Sequence, residues 1–410
     1  MSCSPERRNP NVFVGLFAGL CLLWLSFAAH AESPHQDGGT EIFLVTYGPG
    51  EIYWQRFGHN AIWVRDPGLG LDHTFNFGFF DFKQENFFMR FLQGRMLYFA
   101  AARPAREEFA EYINENRSIR ALKLDLGPEQ KLALIESLID QVRPENRDYL
   151  YDYYLDNCST RVRDALNQAL NGLLEQEFAP LSSPYSWRDD TRRLTSDDYW
   201  LYLGLELALG TPVDRKMNRW EEMFLPGKLA DALEGVAFNG DGASRPLVTE
   251  DVNLYQSTLQ PPPAVPETLW PRYLLVAAVG LLAGLLASRW ICPVGLARAW
   301  LAVAGLAGLA LAYLWLGTDH AVARPNLNLL VFNPLWLVPA FVPAARKVGA
   351  ALVLTCALLS VVLIWLPPGQ YNLDVLAAFL PLNAVAAGFL LFRSRPRPAT
   401  RPGAPAAADR

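Results

Sequence analysis

Five apolar stretches, near residues 272–288, 299–317, 329–343, 348–366 and 375–392, fill the last third of the chain. Such a run leaves few options. About 20 apolar residues wound as a helix cross the hydrocarbon core of a bilayer, and every backbone polar group inside it must be satisfied within the protein. Most of the stretches are long enough to span. The third is short and carries Pro334 and Pro339, so a broken or tilted segment is expected there. Arg289 and Arg298 flank the first connection, Arg346 and Lys347 the third, and Arg393, Arg395, Arg397 and Arg401 the tail; the second and fourth loops hold only Arg324. Basic residues in alternate loops fit five spans, with the tail in the cytoplasm and the preceding domain outside it.

The N-terminus agrees with that orientation. Arg7 and Arg8 precede an apolar run from Val12 to Ala29, and Ala29-His30-Ala31 supplies an A-x-A cleavage pattern. This reads as a signal peptide cut after Ala31, or else as an uncleaved anchor. Cys21 follows Leu20 where lipidation asks for a small residue, so it is not read as a lipid attachment site. Gln260-Pro-Pro-Pro-Ala-Val-Pro266 is a stiff linker. The expected organisation is a signal peptide at 1–31, an exported domain at 32–259, a Pro-rich linker at 260–271, a membrane domain of about five helices at 272–392 and a basic tail at 393–410.

In the exported domain, Glu41–Tyr47 reads as a strand closed by Gly48-Pro49-Gly50. His59–Arg65 and Asp72–Gly78 read as the arms of a hairpin turning at Asp66-Pro-Gly-Leu-Gly70. Phe79 to Leu97 is rich in Phe and ambiguous. A helical pattern runs from Pro104 through Glu115, a strand over 119–126, an amphipathic helix from Pro128 to Val142, and a further helix around Tyr199 to Leu209. The sum is an α+β domain followed by an all-α multi-span membrane domain. A net charge of −5 gives no reason to expect a nucleic-acid partner.

Of five cysteines (Cys3, Cys21, Cys158, Cys292, Cys356) only Cys158 lies in the exported domain, which rules out a disulfide framework or a Cys-based metal centre there. Asp156 and Asn157 are helix N-caps, and Val162, Leu166, Ala169 and Leu170 recur at helical spacing, so Cys158 is expected in the first turn of a helix. Unpaired backbone N–H groups and the positive end of the helix dipole favour thiolate there. The alternative is a small apolar residue packed beneath the helix. A thiol attacking an acyl group needs a base, and imidazole suits that role. His59, at a strand start after Gly58, is the candidate; the other exported histidines are His35, in the N-terminal tail, and His73. Residues 59 and 78 should lie opposite in the hairpin, so Asn76 or Asp72 shares the face of His59, while a one-residue bulge would bring His73 instead. Asn76 and His73 rank level as the group that orients the imidazole. Backbone N–H groups of Cys158 or Ser159 are candidates for the oxyanion, Asn157 supports them, and Arg161 and Asp164 have the spacing of a helical ion pair. In the second membrane loop, Asp319, His320, Asn326, Asn328 and Asn333 gather polar groups at the membrane surface, either to bind a headgroup or acceptor or as a hydrated loop. No metal or cofactor is expected.

The order of histidine on a strand, then cysteine at a helix start, resembles circularly permuted papain-like folds, among them NlpC/P60-type enzymes and the lecithin:retinol acyltransferase-like group. More closely, Thr46-Tyr-Gly-Pro-Gly50, Phe57-Gly-His-Asn-Ala-Ile-Trp-Val-Arg-Asp66, Phe75-Asn-Phe-Gly-Phe-Phe-Asp-Phe82 and Tyr154-Leu-Asp-Asn-Cys-Ser-Thr-Arg-Val-Arg-Asp164 resemble bacterial Lnb-type lipoprotein N-acyltransferases. Leu209-Gly-Thr-Pro-Val-Asp214 and Phe224-Leu-Pro226 fit as well. The resemblance implies a permuted papain-like (NlpC/P60-like) cysteine domain with Cys158 and His59 as the catalytic pair. It implies an inner-membrane enzyme with a periplasmic N-terminal domain that passes an acyl chain from phospholipid, through a cysteine thioester, to the N-terminal amine of diacylated lipoproteins. Two other readings stand beside it: a cysteine amidase or peptidase acting on cell-wall peptides, which needs only the exported domain, and a non-enzymatic membrane assembly factor in which Cys158 is structural.

Overall fold

Alternating apolar side chains on β1 (Glu41–Tyr47) face two separate cores, which makes this strand the centre of the N-terminal domain. The computed structural model describes residues 39–239, 244–366 and 369–391. The expected signal peptide at 1–31 and the basic tail at 393–410 lie outside the described residues.

β2 (His59–Asp66) and β3 (Leu71–Phe79) form the expected hairpin, and β4 (Leu97–Pro104), β5 (Ile119–Leu124) and β6 (Asp148–Leu150) extend the sheet. Two small pairs follow, β7 (Ser182–Ser186) with β8 (Lys216–Asn218) and β9 (Ala237–Asn239) with β10 (Ser244–Pro246); β11 (Val248–Tyr255) then returns to the main sheet. The seven strands lie in the order β11-β5-β1-β2-β3-β4-β6, each antiparallel to its neighbour. The ambiguous Phe-rich stretch contains a short helix, α1 (Phe87–Gln93). α2 (Ala105–Asn114) covers one sheet face over Val45, Tyr47 and Ala61. The other face, through Ile42, Leu44, Ile62 and Phe77, packs against α3 (Pro128–Gln141) and α4 (Cys158–Ala169). α5 (Leu173–Phe178), α6 (Trp187–Thr195), α7 (Tyr199–Ala208), α8 (Arg219–Glu222) and α9 (Pro226–Glu234) complete the domain; Leu229 and Leu233 of α9 join the core beneath α4. A sheet buried on both faces explains why β1 reads as a nearly continuous apolar run.

Among the described residues, four helices are long and apolar enough to cross a membrane: α10 (Trp270–Ala287), α11 (Pro293–Leu316), a span ending in α13 (Arg346–Leu363), and α14 (Leu373–Leu391). The expected third stretch differs. It is a chain of 3-10 turns ending in the five-residue α12 (Leu337–Phe341), because Pro334 and Pro339 interrupt the helical ladder. It still runs the length of α11, in the opposite direction: a Cβ on Gly308 would meet Phe332 O at 2.5 Å, one on Gly305 would meet Leu337 Cγ at 2.8 Å, and Arg298 Nε donates to Ala340 O at 2.5 Å. Side chains satisfy its freed carbonyls, as a low-dielectric setting requires: Val331 O accepts from Trp336 Nε1 at 3.1 Å and from Asn383 Nδ2 at 2.9 Å.

Candidate active site

α4 begins where the sequence places it. Asn157 is its N-cap, with Oδ1 accepting from the N–H groups of Ser159 and Thr160 at 2.9 Å each, while its Nδ2 donates to the carbonyls of Tyr153 and Phe224 at 3.0 Å. The cap thereby fixes the first turn against two loops. Cys158 is buried under β2 and β3, with a free thiol. The backbone N–H of Asn60, the residue after His59, reaches its sulfur, as do those of Ser159 and Cys158 itself. Burial nonetheless pushes the thiol pKa up, against those N–H groups and the nearby Arg117 guanidinium. A helix start alone therefore does not make this sulfur a resting thiolate.

His59 opens β2. Its Nε2 lies 2.9 Å from Asn76 Oδ1 on β3, and its ring is flanked by Tyr47 and Tyr112 with centroids 5.8 and 6.3 Å away. The hairpin is in register with Ala61 opposite Asn76, so no bulge turns His73 inward; His73 lies opposite Val64, and Asp72 instead accepts from Trp63 Nε1 at 2.6 Å. Asn76 in turn donates from Nδ2 to Glu108 Oε2 at 2.7 Å. Glu108, buried on α2, also accepts from the hydroxyls of Thr74 and Tyr47. These contacts assign the tautomer. A carboxylate receiving Nδ2 leaves Asn76 Oδ1 facing the imidazole, so His59 Nε2 carries the proton and Nδ1 keeps its lone pair. Burial lowers the His59 pKa to about 4, against the Asn76 hydrogen bond, and Arg117 lowers it further. Burial thus works against charge on both the thiol and the imidazole.

That bias has a measurable consequence. Alkylation of Cys158 by iodoacetamide is expected to rise about tenfold per pH unit between pH 7 and 9, following the thiolate fraction, with no fast plateau below pH 6. A thiolate–imidazolium pair would instead alkylate quickly near pH 5.

Three residues that spacing does not reveal join the site. Glu108 anchors Asn76. Arg117 is buried, stacks on Tyr112 at 4.5 Å and leaves Nη2 without a hydrogen-bond partner among the described residues. Tyr149 has a buried hydroxyl with no such partner. A Cβ built on Gly78 would lie 4.0 Å from that hydroxyl and 3.6 Å from Cys158 Cβ, so the Tyr149 hydroxyl and Cys158 border one small space, which the glycine leaves open. The φ of +96° at Gly78 suits only glycine, and the β3–β4 register shifts between Asn76 and Phe79 beside it. The signal available in the sequence was local: four tyrosines at 149, 151, 153 and 154 before the cysteine, and a glycine opposite the histidine.

With this geometry in place, comparison with known families is decisive. Residues 38–196 match the Lnb N-terminal periplasmic domain, and residues 271–397 match the Lnb transmembrane domain. The chain belongs to the Lnb family. No curated protein and no solved structure matches it.

The remaining candidates of this Lnb chain hold the site rather than face it. Ser159 donates its hydroxyl to Met223 O at 2.7 Å and accepts from Asn60 Nδ2 at 3.1 Å; its N–H is engaged by the Asn157 cap, which leaves the Cys158 N–H as the better backbone donor. Arg161 does not pair with Asp164. It forms a bidentate pair with Asp156 at 2.6 and 2.9 Å and stacks on Tyr149 at 3.5 Å, whereas Asp164 pairs with Arg163 at 2.8 Å. The loop back to Asp156 outcompetes helical spacing because Asp156 presents both oxygens to the guanidinium fork.

The membrane loop divides into an exposed part and a buried part. Asp319 pairs with Arg95 at 2.6 Å, and the His320 ring stacks near Tyr153 at 6.2 Å. Asn326 and Asn328 are buried, donating to carbonyls of Glu206, Leu207 and Ala208 at 2.8–3.1 Å, and Asn333 caps the 3-10 turn that follows. These asparagines join the transmembrane domain to α7 of the periplasmic domain.

Asn76 and Glu108 lie in series behind His59. Asn76→Ala is expected to slow reaction at Cys158 about 100-fold, and adding Glu108→Ala should cost little more, as for residues that work as one unit. Rapid-quench measurement of the double-mutant cycle checks this; additive losses would show independent roles.

Proposed function

We propose that this Lnb-family protein is a cysteine acyltransferase with a permuted papain-like domain, moving a fatty acyl chain from phospholipid to the N-terminal amine of diacylated lipoproteins. The observation that carries the reading is the His59–Asn76–Glu108 relay on the hairpin whose next residue, Asn60, turns its backbone N–H to the helix-start thiol, in a domain joined to membrane spans. In the first half-reaction His59 Nδ1 takes the Cys158 proton as Sγ bonds to the ester carbonyl carbon. The carbonyl oxygen becomes an oxyanion, to which the Tyr149 hydroxyl and the Cys158 N–H donate. Collapse breaks the carbon–oxygen bond, the imidazolium protonates the glycerol oxygen, and lysophospholipid leaves an acyl-Cys158 thioester. In the second half the lipoprotein amine attacks that carbonyl, His59 accepts the amine proton, and the thiolate departs and is reprotonated. The product is an amide.

Contacts with the periplasmic domain occur near Leu269, Asp319–Asn328 and Gln370–Asp374, and the intervening ends carry Arg289, Arg298, Arg346 and Lys347. This alternation supports five passes, counting the broken one, in the inner membrane with the tail in the cytoplasm.

The test is intact-mass analysis of protein purified from membranes, before and after neutral hydroxylamine. One hydroxylamine-labile acyl chain on Cys158 is expected. A chain that stays unmodified with added phospholipid, while residues 32–259 alone cleave muropeptides, would replace the transferase with an amidase.

A further inference from the structure

α1 reads Phe-Phe-Met-Arg-Phe-Leu-Gln and turns its apolar side chains outward: Phe88 is 77% exposed, Met89 51%, Phe91 48% and Leu92 45%. Phe82 and Trp54, at 55% and 56%, adjoin it. A soluble surface rarely carries so dense an aromatic patch without a partner. The helix is tied to the residues that immediately follow the membrane span α11. Asp319 N donates to Gln93 O at 2.8 Å, and His320 Nε2 lies 3.1 Å from Phe91 O. Gly94, the helix C-cap at φ +74°, permits this approach, since a Cβ there would sit 2.7 Å from His320 N. α1 therefore lies at the depth where a membrane helix ends, the level at which aromatic side chains favour the lipid interface.

A line of rings connects this patch to the thiol. Phe87 faces Phe82 at 5.0 Å and Phe80 at 6.0 Å, Phe80 faces Tyr98 at 5.2 Å, and Tyr98 stacks on Tyr151 at 4.3 Å. Tyr151 borders the space beside Gly78 and Cys158. Arg90, the one cation within α1, makes no side-chain hydrogen bond or ion pair among the described residues.

We propose that α1, with Phe82 and Trp54, is embedded in the outer leaflet of the bilayer that α10 to α14 cross, and that the ring line seats the acyl chain of a phospholipid drawn from that leaflet, with Arg90 at its phosphate. The inference rests on the acyltransferase reading for its second half only. The apolar occupant follows from continuity with the membrane span, and the cation suits an anionic headgroup.

Two arms test it in the full chain reconstituted in phospholipid nanodiscs. In a cysteine-free background, bimane attached at Phe88→Cys or Phe91→Cys is expected to be quenched by lipids brominated along the acyl chain; fluorescence equal to that in unbrominated lipid overturns the membrane contact. With native cysteines, Phe88→Ser/Phe91→Ser should lower acyl-Cys158 formation from bilayer phospholipid about tenfold or more, while acylation by soluble p-nitrophenyl butyrate stays within about twofold. Equal effects on the two donors, or none on either, overturn the delivery path. A protein that takes an acyl group from neither donor would sink the acyltransferase reading and leave the membrane contact to the quenching result.

Discussion

Cys158→Ala is expected to lower lipoprotein N-acylation by about ten-thousand-fold or more and to remove every hydroxylamine-labile acyl adduct. In the proposed mechanism the sulfur is the nucleophile, and the neighbouring hydroxyl does not replace it, because Ser159 is bonded to Met223 O and Asn60. The fold should survive. Removing one sulfur atom from the core edge costs about 1 kcal/mol, and the Asn157 cap that fixes the turn is untouched. His59→Ala should lose nearly as much, and the double variant no more than the worse single one. Mass spectrometry of a reporter lipoprotein, with circular dichroism as the check on folding, decides it. Substantial N-acylation by folded Cys158→Ala would remove the thioester from the mechanism.

The second large effect concerns the joint between the domains. Glu206→Ala is expected to destabilise the protein by about 3–5 kcal/mol, because it strips the shared carboxylate from two buried arginines. Arg192 grips Glu206 through Nε and Nη2 at 2.9 and 2.7 Å and also donates to Tyr371 O at 2.5 Å. Arg188 lies 3.4 Å from the same carboxylate and pairs with Asp214 at 2.7 Å. Burial works against charge on Glu206, yet the two guanidinium groups hold its pKa below the ordinary carboxylate value, which shows the pairing outweighing desolvation. Arg192 also reaches Asp374 of α14 at 3.3 Å, and Asp374 accepts from Leu269 N at 2.6 Å just before α10. Losing Glu206 therefore loosens α6, α7 and the tops of two membrane helices together. A thermal-melt drop of roughly 10 °C or more in detergent would register it; an unchanged melt would mean that the arginines find other partners.

The strands, the helix start at Cys158, the hairpin that puts His59 and Asn76 on one face, and the apolar spans were legible in the chain by itself. Each is set by a short-range rule: period-two alternation, an Asx cap before an amphipathic run, a Gly-rich turn, hydropathy over about 20 residues. The hairpin's parity even narrowed the partner of His59 to a few residues, since one residue of slip turns every side chain to the other face. What the sequence could not decide was which distant groups meet. Glu108 lies 32 residues beyond Asn76 on a helix whose own pattern is ordinary, and only its packing across β1 to β3 makes it the anchor of the relay. Tyr149 and Arg117 acquire meaning because the hydroxyl of one and Nη2 of the other are buried with no hydrogen-bond partner among the described residues, which no spacing encodes. The thiol follows the same logic: a helix start favours thiolate, while the depth of Cys158 under the sheet pushes its pKa up. The broken pass at 329–343 stays in register with α11 through contacts at Gly305 and Gly308, residues remote from its prolines. Local order follows from neighbours in sequence. Charge state, orientation and the joint between the two domains follow from neighbours in space, because desolvation and hydrogen-bond geometry exist only once the chain is packed.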